Sequence, residues 1–281
     1  MTYRELLNEY KNICLKKNLE FETVKYLIQE LIYLDSATFL LKHNEEIEDH
    51  VLTIITDAVN KYINELIPVQ YILGYTYFYG LKFNVNNNVL IPRSETEELV
   101  EHVINYAKII FGNKPINICD IGTGSGAIAV SLAKENNFFL TATDISSNAL
   151  IVAKENACNN DVHINFYEGD LLEPLIKNNL KFDILVSNPP YVASTDLVDP
   201  LVLKNEPHLA LFADNYGMSC YEKILYDSNK ILNTPNIILF EHGYEQKELM
   251  IDLIKRVYPN CEYKILKDIN GKDRFTIIIN K

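Results

Sequence analysis

Residues 115–136 read PINICDIGTGSGAIAVSLAKEN, and the fold is decided there. An apolar strand pattern runs directly into three glycines within five positions, Gly122, Gly124 and Gly126, and then into a helical pattern. Glycine admits positive φ and lets a ligand approach without a Cβ in the way. The alternation continues downstream. FFLTATDIS (138–146), INFYEGD (164–170), FDILVSN (182–188) and NIILFEHG (236–243) read as strands; NALIVAKENACNN (148–160), YEKILYDSNKIL (221–232) and QKELMIDLIKRV (246–257) read as helices. Two last strands, CEYKILKD (261–268) and RFTIIIN (274–280), stand only INGKD apart and suit an antiparallel hairpin. The expectation is an α/β fold: a doubly wound, mostly parallel, seven-stranded sheet with helices on both faces.

Upstream the period differs. Residues 1–67 read as a bundle of helices, opened by a capping box at Thr2 and Glu5. Leu6, Leu7, Tyr10 and Ile13 form one apolar stripe; Phe21, Val24, Leu27, Ile28, Leu31 and Ile32 a second; Ile47, Val51, Ile54, Ile55, Ala58, Tyr62 and Ile63 a third, closed by Pro68. From Tyr71 the period changes, and YTYFYGLKFNVNNNVLI (75–91) carries aromatic and β-branched residues and an Asn86-Asn87-Asn88 turn, so residues 68–93 read as a β-hairpin linker. Ser94 and Glu97 then suit a second capping box, on a helix ending near Gly112. Residues 94–281 form the second domain.

Composition narrows the function. The 281 residues are 48% apolar and 23% charged, enough for a sizeable core. Lysine and arginine number 26 against 38 acids, a net charge of −12, and the first 67 residues hold 7 basic against 12 acidic side chains. Neither part offers the net basic face that phosphate backbones select, so no direct nucleic-acid binding is expected. Cys14, Cys119, Cys158, Cys220 and Cys261 are odd in number and never form a C-x-x-C pair, which speaks against a disulfide framework or zinc ribbon. His102, His163, His208 and His242 lack metal-ligand spacing, so no metal is expected; His208 and His242 read as structural. MTYRELLNEYKN is unlike a signal peptide, and no window offers about 18 consecutive apolar residues. A monomeric cytoplasmic protein without a membrane partner is the expectation.

The glycine loop sits between acids. Asp144 ends the next strand, where a carboxylate can accept both hydroxyls of an unphosphorylated ribose. The loop is G-x-G-x-G, neither the P-loop pattern nor the dinucleotide pattern G-x-G-x-x-G. Asp120, just before the turn, suits a cationic ligand better than a pyrophosphate. Together these favour S-adenosyl-L-methionine, whose sulfonium and ammonium are both positive, over a tight turn with no ligand. Asp170, in Glu168-Gly-Asp-Leu, can accept from the adenine amine with Leu171 against the ring; its alternative role is a turn residue.

After the fourth strand comes Asn188-Pro189-Pro190-Tyr191. The prolines fix φ and remove donors, leaving the Asn188 side chain and the Pro189 carbonyl as rigid acceptors for a planar NH2 group. A conjugated amino nitrogen is a poor nucleophile because its lone pair is delocalised. Two acceptors holding its N–H bonds bias it toward tetrahedral geometry, and Tyr191 can stack on the planar group. Orientation and electrostatics then supply most of the acceleration, and the proton leaves after methyl transfer. A Pro-Pro turn capping a strand explains the prolines but not the bracketing Asn and Tyr.

With these residues the chain resembles the class I S-adenosylmethionine-dependent methyltransferases, and more narrowly the release-factor glutamine N5-methyltransferases of the PrmC/HemK family. The resemblance rests on residues 68–100, 120–133 (DIGTGSGAIAVSLA), 143–157 (TDISSNALIVAKENA), 169–175 (GDLLEPL), 182–192 (FDILVSNPPYV), 205–212 (NEPHLALF) and 268–274 (DINGKDR). It implies a Rossmann-like methyltransferase that methylates the glutamine of the Gly-Gly-Gln motif in peptide chain release factors, with S-adenosyl-L-homocysteine as product. It implies that Gly122, Thr123, Gly124, Ser125 and Gly126 cradle the methionine moiety, Asp144 the ribose, Asp170 and Leu171 the adenine. Asn188, Pro189, Pro190 and Tyr191 would hold the glutamine, with Asn188 also near the cofactor and Asn188, Pro189 and Tyr191 carrying catalysis. Residues 1–67 would recognise the release factor. The family usually has proline at Ser94 and Asp-Gly at Tyr216-Gly217. Two other readings remain at this stage: an adenine or guanine amino methyltransferase acting on DNA or RNA, which shares the Asn-Pro-Pro-Tyr segment, and a non-catalytic adaptor that retains the fold.

Overall fold

The computed structural model describes Met1–Glu135 and Asn137–Lys281; Asn136, the last residue of the helical run AIAVSLAKEN, lies outside the described residues. The chain divides into two compact units, one of Met1–Tyr75 with Asp199–Asn205, the other of Thr76–Val198 with Glu206–Lys281.

The first unit is helical: α1 (Tyr3–Lys17), α2 (Phe21–Leu31), α3 (Ser36–Leu41), α4 (Asp49–Glu65) and α5 (Val69–Leu73). Thr2 and Glu5 form the expected capping box, each side chain taking the other's backbone N–H, at 3.3 and 2.8 Å. Leu6, Leu7, Tyr10, Val24, Leu27, Ile28, Phe39, Ile55, Val59, Tyr62 and Ile63 share one core. Ile54 departs from its assigned stripe and is 52% exposed, because α4 turns that position to solvent one step before Ile55. Helix α4 stops at Leu66, which is left-handed at φ +56, two residues before Pro68. Its last carbonyls find partners far along the chain: Lys204 Nζ donates to Glu65 O at 2.5 Å and Asn205 Nδ2 to Leu66 O at 2.6 Å. Residues 68–74, read as the start of the hairpin linker, instead form α5 and its Gly74 cap in the helical unit.

The hairpin runs from β1 (Tyr75–Phe78) to β2 (Leu81–Asn84) and closes on Tyr79-Gly80, both at positive φ, the tight turn that suits twisted strands. The Asn86–Asn88 turn forms beyond it, with Val89 N–H donating to Asn86 O at 3.1 Å. Helix α6 (Ser94–Phe111) ends at Gly112 as expected, but the second capping box does not form. Arg93 is the cap residue, Ser94 is already helical, and Glu97 Oε1 accepts the Tyr79 N–H at 2.8 Å. The hairpin turn has an unpaired donor and outcompetes the helix end for that carboxylate.

Next come β3 (Ile116–Ile121), α7 (Ala127–Ala133), β4 (Phe138–Asp144), α8 (Ser147–Asn159), β5 (Ile164–Glu168), α9 (Glu173–Lys177) and β6 (Phe182–Ser187). They are followed by α10 (Pro200–Asn205, in the helical unit), α11 (Ser219–Ser228), β7 (Leu232–Glu241), α12 (Lys247–Val257), β8 (Glu262–Lys267) and β9 (Asp273–Asn280). The seven-stranded sheet has the order β5-β4-β3-β6-β7-β9-β8, parallel except for β9, which runs antiparallel to both neighbours. Period-two alternation sends Ile237 and Leu239 to the face covered by α6 and α7, and Ile238 and Phe240 to the face covered by α11 and α12. Strand order reverses between β3 and β6, so their carboxyl ends open a crevice.

The loop before α11 carries Tyr216 at φ +54 and Gly217 at φ +77. A Cβ on Gly217 would run into the Tyr191 carbonyl and the Gln246 amide, so glycine is required there. Tyr216 is 76% exposed and holds a conformation disfavoured for a bulky residue. Tyr216→Asn is expected to raise stability by about 1 kcal/mol, measured by urea unfolding, by relieving left-handed backbone strain; an unchanged or lower midpoint would show that the tyrosine side chain compensates.

Candidate active site

At the crevice, loops from the carboxyl edge of the sheet line a cavity of about 380 Å³. The glycine loop after β3 forms its floor. Gly122 and Thr123 donate their N–H groups to Thr143 O, both at 2.9 Å, and Gly124 N–H donates to Asp144 Oδ2 at 2.8 Å. The loop is thus tied to the end of β4, with Gly122, Thr123, Gly124 and Ser125 lining the cavity. Gly126 caps α7 instead; its missing side chain lets α8 approach, since a Cβ would lie 3.2 Å from that of Ala153. Gly122 and Gly124 have open space where a Cβ would stand, so their requirement is the positive φ and the unobstructed ligand side.

Asp144 lines the cavity with its oxygens oriented from behind: Ser146 N–H reaches Oδ1 at 2.9 Å and Gly124 N–H reaches Oδ2. Each oxygen keeps acceptor capacity toward the cavity. Burial raises its carboxyl above the ordinary range. Asp170 and Leu171, after the neighbouring β5, also line the cavity; Lys223 Nζ lies 3.2 Å from Asp170 Oδ2, and Thr143 Oγ1 donates to Leu171 O at 3.0 Å.

Asp120, expected to face a cation, is fully buried beneath the loop. Its Oδ2 accepts from Thr123 Oγ1 at 2.6 Å. Burial, reinforced by the charge of Asp144 and opposed by the Thr123 hydrogen bond, raises this carboxyl to about 7.

The Asn-Pro-Pro-Tyr segment leaves β6 beside the glycine loop, where Ser187 Oγ donates to Ile121 O at 2.6 Å. Asn188 and Pro190 line the cavity, and Pro189 is buried. Tyr191 packs toward the α11–α12 face, where a Cβ on Gly243 would stand 3.5 Å from its Cδ2. Burial, with Glu241 nearby, pushes its phenol up to about 12, so the ring stays neutral.

Four supports were invisible from the sequence pattern. Asn156, fully buried on α8, donates to Ser125 O and Asn84 O, both at 2.9 Å, and accepts the Asn84 N–H at 2.7 Å. Gln246 donates to Tyr191 O at 2.9 Å and Tyr216 O at 3.0 Å while accepting the Gly243 N–H. Glu206, buried, accepts from Arg93 at 2.7 Å and from Ile91 N–H at 3.2 Å, seating the wall that runs from Pro207 to Asp214. Thr96 donates to Glu241 Oε2 at 2.7 Å and accepts from Asn188 Nδ2 at 3.2 Å. Glu241 lies in the Glu-His-Gly run whose sequence reading was structural only. His242 is fully buried with Nδ1 2.9 Å from Gly243 O, and His208 meets Phe212 edge-on. Among the described residues, no group of three or more His, Cys, Asp or Glu side chains could hold a metal ion.

A glycine loop and an Asn-Pro-Pro-Tyr turn thus meet at the switch point of this sheet. Residues 98–210 match the family described as Methyltransferase small domain. The fold is also that of a methyltransferase from Pyrococcus furiosus, with a TM-score of 0.51 at 16% identity over 83% of this chain and 99% of that one. The release factor glutamine methyltransferase of Bacillus subtilis (strain 168) is 44% identical over 214 residues, 75% of this chain and 74% of its own. That of Staphylococcus aureus (strain NCTC 8325 / PS 47) is 36% identical over 277 residues, 98% of both. The chain belongs to the release factor glutamine methyltransferases.

Asp120 and Glu241 both have carboxyls raised to about 7 in the folded protein. Unfolding lets them ionise at ordinary carboxylate values, so the unfolded chain binds fewer protons in between and stability falls as pH rises from about 4 through about 7. The urea midpoint is expected to be lower at about pH 8 than at about pH 5, with a smaller drop in Asp120→Asn; an equal drop in that variant would remove Asp120 as a source.

Proposed function

We propose that this chain transfers a methyl group from S-adenosyl-L-methionine to the side-chain amide nitrogen of the Gly-Gly-Gln glutamine in peptide chain release factors. The observation that carries the residue-level reading is the placement of Asn188 beside the glycine loop, in a cavity whose ionisable lining includes three carboxylates, Asp144, Asp170 and Asp214, and one guanidinium, Arg93. Such a lining suits a ligand bearing a sulfonium and an ammonium. The positive-φ glycines leave the backbone open to it, and Asp144 presents oriented oxygens for ribose hydroxyls. Bound there, the cofactor supplies an electrophilic methyl group and leaves as S-adenosyl-L-homocysteine.

The chain's own residues do the rest. Gly122, Thr123, Gly124 and Ser125 form the cradle for the methionine part, with Gly126 fixing its end at α7; Asp170 accepts from the adenine amine, and Leu171 packs against the ring. Asn188 Oδ1 and the Pro189 carbonyl accept the two N–H bonds of the substrate amide, which turns the nitrogen lone pair outward. Pro190 holds the turn rigid, and the neutral ring of Tyr191 orients the planar amide. No strong base is needed, because the nitrogen becomes acidic once alkylated. The helical unit docks the release factor. Among the described residues, no helix is long and apolar enough to cross a membrane. We place the enzyme in the cytoplasm, acting as a monomer.

Mass spectrometry of the Gly-Gly-Gln peptide after incubation with enzyme and cofactor is expected to show one added methyl group on glutamine. Labelling that persists on a Gln→Ala release factor, or that appears on DNA or RNA instead, would overturn the assignment. Asn188→Ala is expected to keep cofactor binding within about threefold while turnover falls about 100-fold, the scale of losing an oriented group at a reacting centre; calorimetry and initial rates check the two halves separately.

A further inference from the structure

We infer that Thr96 and Glu241 set which way the Asn188 amide faces, and so make it a hydrogen-bond acceptor toward the substrate. The inference rests on the reading that Asn188 receives the substrate amide. Glu241, the last residue of β7, is 2% exposed, and its Oε2 lies 2.7 Å from Thr96 Oγ1 in the first turn of α6. An ionised carboxylate has no hydrogen to give, so the single hydroxyl proton of Thr96 must point at Glu241. Thr96 Oγ1 is then left with lone pairs only, and Asn188 Nδ2 fills that role at 3.2 Å. The Asn188 side chain also faces Glu241 and helps to lower its carboxyl. Flipping the amide would set Oδ1 against two acceptors. The chain Glu241–Thr96–Asn188 therefore turns the NH2 group inward and leaves Oδ1 for the cavity, where an incoming NH2 group needs an acceptor.

Protonation reverses the chain. A neutral Glu241 can donate to Thr96, which can then donate to Oδ1 and release a flipped amide with NH2 toward the substrate. Besides Thr96 and Asn188, the groups facing Glu241 are Arg274 from β9, Glu95 from α6 and the Tyr191 phenol, while Tyr221 OH donates to its backbone oxygen. Burial outweighs the Thr96 and Arg274 contributions and holds the carboxyl at about 7, so the active orientation is gained as pH rises through neutrality.

Three variants and one spectrum test this. Thr96→Val, which keeps the shape and loses the hydroxyl, should lower kcat about tenfold with the KM for cofactor within about twofold, and Thr96→Ser should restore kcat to within about threefold. Wild-type kcat should rise with pH through about 7, and that limb should vanish in Thr96→Val and Glu241→Gln. Titration of Asp120, beneath the cofactor loop, would appear in the KM for cofactor instead. Independently of activity, the Asn188 side-chain NH2 resonances, identified by their loss in Asn188→Ala, should shift with a near-neutral midpoint in wild type and stay fixed in Glu241→Gln. A Thr96→Val enzyme with wild-type kcat and pH profile, or Asn188 resonances indifferent to pH, would overturn the inference. Failure of the wild type to methylate a release factor would refute the substrate assignment alone, and the NMR titration would still decide the amide's orientation.

Discussion

The parallel pairing of β3 with β6 is the constraint on which the rest depends. Ile118, Cys119 and Asp120 lie in register with Ile184, Leu185 and Val186, so the two strands end side by side. Because strand order reverses here, the connections that follow them leave in opposite directions and cannot fill the space between. Ser187 Oγ, bound to Ile121 O, pins the two exits at the last residue of each strand. Two apolar layers, one under α6 and α7 and the other under α11 and α12, hold the sheet rigid beneath this gap. A site built on strand ends inherits that rigidity, which matters for a reaction governed by orientation.

Both halves of the site use the same small device. Beneath the glycine loop, buried Asp120 receives the hydroxyl of Thr123; beneath the Asn-Pro-Pro-Tyr turn, buried Glu241 receives the hydroxyl of Thr96. In each pair the threonine hydroxyl donates to the carboxylate, and Thr96 Oγ1 in turn accepts from Asn188 Nδ2. Desolvation makes each carboxylate costly, and each is raised to about 7. The site therefore holds two buried carboxyls well above the ordinary carboxylate range, a recurrent property of catalytic centres.

Local sequence pattern carried the sheet, because its strands are apolar runs punctuated by glycine, and it carried the cradle, because Gly122, Gly124 and Gly126 need no distant partner to be recognised. Its limits appear in two look-alike motifs. Thr2 and Glu5 made their box since nothing else competes for Glu5, whereas Glu97 was drawn to a hairpin turn 18 residues away in the chain. Thr96 and Glu241 stand 145 residues apart, and Asn156 and Asn84 stand 72 apart. Pairings across such separations leave no periodic trace in a single sequence. Asp120 was recognised, but its depth was not: a carboxylate before a glycine turn looks the same whether it faces a ligand or supports the loop from below.

The excursion of residues 199–205 makes the helical unit discontinuous in sequence. The chain leaves the Asn-Pro-Pro-Tyr turn, contributes α10 to the helical unit, and returns at Glu206 to seat the cavity wall. Leu201 packs against the helical core while Lys204 and Asn205 close the end of α4. A single cut after Tyr75 would therefore not release the helical unit whole, because α10 belongs to that unit yet lies on the other side of the cut.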